Sequence, residues 1–343
     1  MENVSDVILP ISSSPFGSTG FDLILLNTIY HIKPTHPWIY SNYINLFIIE
    51  KKKSWLLTTN DGIIDKWQNI FFMKYNILLK ENVQKGWNNY SHFAREYIDK
   101  DFYILFPSID HYYLSPSRLY KRKHQLHGLF VYGYNKEKKF IYCGDFFFSR
   151  SNKFETSTIS FEELNNSVTR SFDLFDSKPM QNPEDLYMMK FADKFTPALE
   201  KWDYKTKIKN RLKEYLESSI YESSCRKPEG KILCQGIAVN QYFMKNINYI
   251  DKFIYKGIDF YKSHKSCMYH RVLFLKDKNL IDENDPIINE MEKINYHSIT
   301  LQGLLFKYKM TMKKNILVSM KDILKKIDEL EHKTLPKLFD YVC

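Results

Sequence analysis

No cysteine precedes Cys143, and the five in the chain (Cys143, Cys225, Cys234, Cys267 and Cys343) form no CxxC pair. An odd, widely spaced set argues against a disulfide framework and for free thiols in a reducing compartment. The glycines make no phosphate-cradling loop: Gly133, Gly144 and Gly303 stand apart, and Asp61-Gly62 reads as a turn rather than a calcium loop. HExxH, paired metal-binding carboxylates, zinc-finger spacing and RNP-type motifs are all missing. No run of about 18 apolar residues exists to span a bilayer, and the opening MENVSDVILP lacks the apolar core of a signal peptide. These absences predict a cytoplasmic protein with no membrane segment, no bound metal and no organic cofactor.

What is abundant narrows the field less. Aromatic residues make up 16% of the chain, with 25 Tyr and 25 Phe, and alongside many Lys, Asn and Ile they point to an AT-rich genome rather than a stacking surface. The net charge of +10 permits nucleic acid or anionic surfaces as partners. Yet basic residues alternate with acids in stretches such as Lys205 to Glu217, and Lys51-Lys52-Lys53 and Lys121-Arg122-Lys123 read as solvated edges. Nucleic acid is therefore not the expected partner. At 343 residues, 44% hydrophobic and 26% charged, the chain is globular in composition and long enough for two domains.

Specific geometry is readable in one stretch, HQLHGLFVYGYNKEKKFIYCGDFFF from His124 to Phe148. Two apolar, aromatic and β-branched runs flank the polar segment Asn135 to Lys139, the pattern of a β-hairpin. A loop centred near Glu137 sets Leu129 opposite Asp145, with His127 on the diagonal and on the same face. Leu129, Val131, Ile141 and Cys143 share that face. Phe130, Tyr132, Tyr134, Phe140, Tyr142 and Phe146 occupy the other, so both sides read as buried. A carboxylate there costs several kcal/mol unless paired, and an imidazole is the nearby polar partner. A His held by an Asp is the orienting half of a nucleophile-activating triad; it is equally the way a strand end satisfies two polar groups, and a one-residue slip separates them.

Elsewhere the pattern is coarser. Phe21 to His31 reads as a strand or a buried helical turn. Pro37 suits the first position of a helix capped near Thr35 or His36 and running past Ser41, Asn42 and Asn45 to Phe47. Asn60-Asp61-Gly62 marks a turn, Asn88 to Tyr97 a short helix, Phe102 to Pro107 a strand, and Asp110 to Tyr113 a further extended run. Ser160 with Glu163 has capping-box spacing. From about residue 178 helical periodicity takes over, with one stripe through Ile208, Leu212, Tyr215, Leu216 and Ile220 and another from Ile316 to Leu330. Two domains are expected, 1–178 and 179–343, joined near Lys178 to Pro183.

The order of short motifs carries a resemblance. His127, Val131, Gly133 and Tyr134, a polar loop and a strand ending in Gly144-Asp145 resemble the His-containing hairpin of papain-like cysteine peptidases of the bacteriocin-processing type. Adding PWIYSNYI (37–44), IDHYYL (109–114), His124 with His127, and ISFEEL (159–164), residues 20 to 170 are similar to the family of the N-terminal domain of butirosin biosynthesis protein H. A looser similarity lies around HKSCMYHR (264–271). The resemblance implies an α+β protein: a papain-like N-terminal domain, with a helix packed on an antiparallel sheet, followed by a mostly α-helical C-terminal domain. It implies acyl transfer or peptidase-like chemistry in a bacterial peptide or natural-product pathway of the nonribosomal kind, with an acyl carrier protein or a peptide as partner.

Carried over, His127 is the base and Asp145 its orienter. The family's Cys nucleophile belongs at a helix N-terminus, where the helix dipole and the His lower its pKa, and here that position holds Thr35 or His36, with Ser41 beyond. Thr35 and Ser41 are thus candidate nucleophiles, with helix capping and packing as their structural roles; a hydroxyl lacks the ionised fraction that makes a thiol reactive near pH 7. Loss of the thiol leaves open a catalytically inactive relative that binds a peptide, carrier protein or partner enzyme. Cys143, mid-strand, reads as a buried hydrophobe. Neither His111, His124 and His127 nor His264, Cys267 and His270 has a recognised metal-ligand spacing.

Overall fold

The computed structural model describes residues 6–14, 20–51, 54–58, 72–78, 89–148, 154–175, 185–191, 199–219, 231–249 and 252–342. In chain order its elements begin with β1 (Asp6–Ile8), α1 (Gly20–Ile29), α2 (His36–Ser41), β2 (Phe47–Lys51), β3 (Ser54–Thr58) and β4 (Phe72–Leu78). There follow α3 (Tyr90–Ile98), β5 (Tyr103–Asp110), β6 (Leu126–Asn135), β7 (Phe140–Asp145), β8 (Glu155–Ser160), α4 (Phe161–Phe175) and β9 (Asp185–Phe191). The remainder is α5 (Tyr204–Leu216), β10 (Ile232–Gln235), α6 (Val239–Asn246), α7 (Lys252–Asp277), α8 (Pro286–Thr311) and α9 (Lys314–Asp340). The protein is mixed α+β, with antiparallel sheet and a helical C-terminal region. No helix among the described residues is long and apolar enough to cross a membrane.

Two compact units share the chain. The first comprises Met1–Ser12, Asn27–His31 and Asp65–Phe195, the second Ser13–Leu26, Ile32–Ile64 and Thr196–Cys343. In the first unit, described strands form an antiparallel sheet in the order β4-β9-β5-β6-β7-β8, with β1 also paired to β6. The expected hairpin is β6 and β7, and it is central: Leu129, Phe130, Val131, Ile141 and Cys143 are all 0% exposed. Each such side chain contributes roughly 1.5–3 kcal/mol on burial. Helices α3 and α4 pack on this sheet. The expected capping box starts α4, where Ser160 N donates to Glu163 Oε2 (2.6 Å) and Glu163 N to Ser160 Oγ (3.1 Å).

The second unit holds a small sheet in the order β10-β2-β3 and the long helices. The stripe from Ile316 onward is buried at Ile316, Leu317, Met320, Leu324 and Ile327, where α9 packs along α8. The HKSCMYHR segment lies on α7 and clamps the end of α2 and the chain that follows it. Arg271 donates to the carbonyls of Tyr40 and Asn42 (both 2.6 Å) and His264 pairs with the carbonyl of Ile44 (2.7 Å). Lys265, wholly buried, bonds both oxygens of Glu331 (2.7 and 2.8 Å) and the Tyr215 hydroxyl (2.9 Å).

Several expectations are corrected. The helix at Pro37 ends at Ser41 rather than reaching Phe47, because Asn42 is extended, Tyr43 takes a left-handed φ of 58°, and Phe47 opens β2. Residues 111–113 do not continue the strand that Asp110 ends: the Asp110 carboxylate accepts from Tyr112 N (3.1 Å) and folds His111–Tyr113 into a 3₁₀ turn. Beyond residue 178 the chain is not purely helical, since β9 pairs with β4 and β5 in the first unit's sheet and β10 with β2 in the second. The Asn60–Gly62 turn, the Lys178–Pro183 linker and Ile220 lie outside the described residues.

Candidate active site

Two ladder irregularities place the site. From the loop, β6 and β7 pair Asn135 with Phe140, Tyr134 with Ile141 and Gly133 with Tyr142; the register then shifts by one, to Val131 with Cys143 and Phe130 with Gly144. Continued without the shift, Asp145 would face Phe130 and lie on the opposite side of the sheet from His127. The bulge at Tyr132 sets Asp145 in line with Leu129 and on the His127 face. Across β6, the β5 ladder shifts between Phe106 with Leu129 and Ile109 with His127. Pro107, with no N–H to give a ladder, occupies that irregular stretch. The 3₁₀ turn carrying His111 follows directly.

His127 and Asp145 meet as expected: Nδ1 lies 2.9 Å from Oδ1. The carboxylate accepts, so Nδ1 carries the proton, and in the neutral ring Nε2 carries the lone pair. Asp145 Oδ2 accepts from Phe147 N (2.8 Å), which fixes the second oxygen. The His127 ring stacks on Phe147 (centroids 3.9 Å, 16°), and Phe147 is itself held by Arg118, whose N–H donates to its carbonyl (3.0 Å) and whose guanidinium lies 4.6 Å over its ring. The Asp145 side chain is 3% exposed and that of His127 29%, so the pair is rooted in the sheet and opens outward through the imidazole. Among the described residues nothing bonds His127 Nε2. In the neutral ring this arrangement can present a proton-accepting nitrogen of fixed tautomer.

His111, grouped in the sequence with His124 and His127 but not with Asp145, adjoins this pair. It is fully buried, its ring edge-on to His127 (5.6 Å) and Phe147 (5.2 Å). Nε2 faces the carbonyl of Gly128 (3.3 Å) and therefore bears its proton, while Nδ1 accepts from Ser117 Oγ (3.2 Å) and lies 3.6 Å from Asp145 Oδ2. Burial pushes its pKa down to about 4 against the attraction of Asp145. The nitrogens of His111 and His127 and a carboxylate oxygen of Asp145 lie within 4.8 Å of one another. This grouping differs from the trio of His111, His124 and His127, because His124 is taken up elsewhere. Its Nδ1 lies 2.7 Å from Asp110 Oδ2 and its ring stacks on Tyr112 at 4.0 Å.

No protein-family model and no curated protein matches this chain.

The remaining candidates sit apart from the pair in role. Thr35 stands at the N-cap of α2 without capping it: its hydroxyl donates to Ile32 O (2.7 Å), and the residue is buried. Ser41 Oγ donates to Trp38 O (3.0 Å) and accepts from Trp202 Nε1 (2.8 Å), also buried. Both belong to the second unit, His127 and Asp145 to the first. Cys143 is fully buried and pushed well above the ordinary thiol range, by burial first and then by Asp145, so it is a hydrophobe in practice. The sequence signal for His111 was its doublet with Asp110, close upstream of His124 and His127: three imidazoles and a carboxylate within eighteen residues, 110 to 127.

Proposed function

We propose that the first unit carries the acyl-transfer site of a papain-like protein resembling the butirosin biosynthesis protein H family, in which His127 is the base and Asp145 its orienter. The substrate is an acyl group on a carrier-protein thioester, or a peptide, in a natural-product pathway. The observation that carries this reading is the 2.9 Å bond from His127 Nδ1 to Asp145, which leaves Nε2 as an outward-facing base with no partner among the described residues. Since the thiol nucleophile is missing, the acceptor itself attacks. His127 takes a proton from the acceptor amine, the new amide bond forms at the acyl carbon, the C–S bond breaks, and the proton leaves with the thiol. General-base assistance of this kind is worth roughly 10²–10⁴-fold.

The second reading is a binding protein that keeps the fold and has lost turnover. It is favoured by Thr35 and Ser41, whose buried hydroxyls donate to carbonyls of their own turns. One experiment separates the two. The protein is incubated with an acyl-carrier thioester and a panel of amines, and release of free thiol and the mass of the acylated amine are followed. The acyl-transfer reading requires turnover that falls at least about 100-fold in His127→Ala and is unaffected by Thr35→Val and Ser41→Ala. Saturable binding of the acyl carrier without thiol release supports the binding reading, and turnover indifferent to His127→Ala removes the first.

A further inference from the structure

We infer that His111, His127 and Asp145 form a binding site for one zinc-class divalent metal ion, independently of the acyl-transfer reading. Three features of the cluster point to it. The first is tautomer control. The carbonyl of Gly128 can only accept, so it holds the proton of His111 on Nε2 and turns the Nδ1 lone pair towards Asp145; a backbone carbonyl on the far ring nitrogen is the usual outer partner of a metal-binding histidine. The second is charge. With both rings neutral the cluster holds one negative charge on a carboxylate whose side chain is 3% exposed, and among the described residues no Lys or Arg forms an ion pair with it. A buried anion of this kind favours a cation.

The third is distance. His127 Nδ1 and Asp145 Oδ1 are 2.9 Å apart, His111 Nδ1 and Asp145 Oδ2 3.6 Å, and one donor atom from each of the three residues lies within 4.8 Å of the others. Bonds of roughly 2.0–2.1 Å in tetrahedral geometry need donors about 3.3 Å apart, so each imidazole already lies near that spacing from one of the two carboxylate oxygens. Binding requires the His127 proton to move from Nδ1 to Nε2 and the Ser117 hydroxyl to release His111 Nδ1. Two imidazoles and a carboxylate suit zinc and cobalt better than calcium or magnesium, and three protein donors leave a fourth position open. Metal binding and base action by His127 exclude each other, since the metal takes the Nδ1 lone pair and leaves the proton on Nε2.

The test uses full-length protein freed of metal with a chelator. Zn²⁺ is titrated by calorimetry and Co²⁺ by its visible absorption. The expected result is one ion per chain, bound at least about tenfold more weakly in His127→Ala and in Asp145→Asn, with His124→Ala unchanged. His127 is partly exposed, so its truncation is not expected to unfold the protein. Absence of saturable binding overturns the inference, and so does binding that His127→Ala and Asp145→Asn leave intact, which would put the ion on another surface histidine. Metal binding by a protein that, freed of metal, shows no acyl transfer would leave the inference standing and remove only the preceding proposal.

Discussion

Acidification is the sharpest probe of the histidine cluster. His111 is fully buried, and its pKa is held near 4 against about 6.5 in an unfolded chain, with burial as the main cause. A depressed histidine pKa means that between those values the unfolded state binds the proton and the folded state does not. Stability is therefore lost as pH falls through 6.5, and the loss levels off below 4. With these two values, linkage gives His111 a cost of about 0.2 kcal/mol at pH 7, about 2 kcal/mol at pH 5 and about 3 kcal/mol at pH 4. Other groups titrate over the same range, so the comparison is with His111→Gln, which is neutral throughout and retains an N–H for Gly128. Urea unfolding at pH 7, 6 and 5 is expected to show wild type losing about 1.8 kcal/mol more than the variant. Imidazole NMR should place the His111 titration near 4 in the folded protein. Parallel stability curves, or a folded His111 titrating near 6.5, would refute the assignment of this ring as a buried neutral acceptor.

Other perturbations test the frame around the site. Ser160→Ala removes half of the capping box of α4 and is expected to cost about 1 kcal/mol in urea unfolding; an unchanged midpoint would mean that the box does not hold the helix start. Lys265→Met strands Glu331 among buried groups and should cost roughly 3–5 kcal/mol, while Lys265→Met with Glu331→Leu should recover much of the loss; equal cost for single and double variants would argue against an ion pair. Gly236 takes a left-handed φ of 61°, and an added Cβ would meet the Tyr215 carbonyl. Gly236→Ala should therefore lower stability by more than about 1 kcal/mol, read by thermal unfolding, and a neutral effect would contradict that backbone geometry.

The central pair was legible because both partners lie on consecutive strands, where period-two alternation and a polar loop leave few registers. The expected loop centre at Glu137 implied the pairing of Leu129 with Asp145, whereas the turn itself closes Asn135 on Phe140, half a residue later. The bulge at Tyr132 restores the difference, and nothing in the residue types announces it. β9 and β10 were not legible for another reason. DLYMMKF and ILCQ are short apolar runs that read equally as buried helix, and their strand partners lie far away in sequence. His111 escaped because its position depends on the irregularity at Pro107 and on the turn made by the Asp110 carboxylate, both of which interrupt the periodicity from which strands are read. α9 was legible from Ile316 to Leu330, though not at the buried Leu335 and Leu338 beyond, since long helices repeat their signal and a single misread residue does not erase it.

The irregularity in β6 has a consequence for how this protein can be altered. Most sites are dismantled by changing a side chain, but here the meeting of imidazole and carboxylate also depends on how many residues the strand contains. Removing Tyr132 alone would let both strands pair in an unbroken ladder that still sets Leu129 opposite Asp145, whereas removing one residue of β7 between Tyr142 and Asp145, with the bulge kept, would leave both partners chemically intact and turn the acid to the far face. Length variation in this hairpin, more than replacement of its members, is thus the change by which a lineage could silence or restore the site in one step.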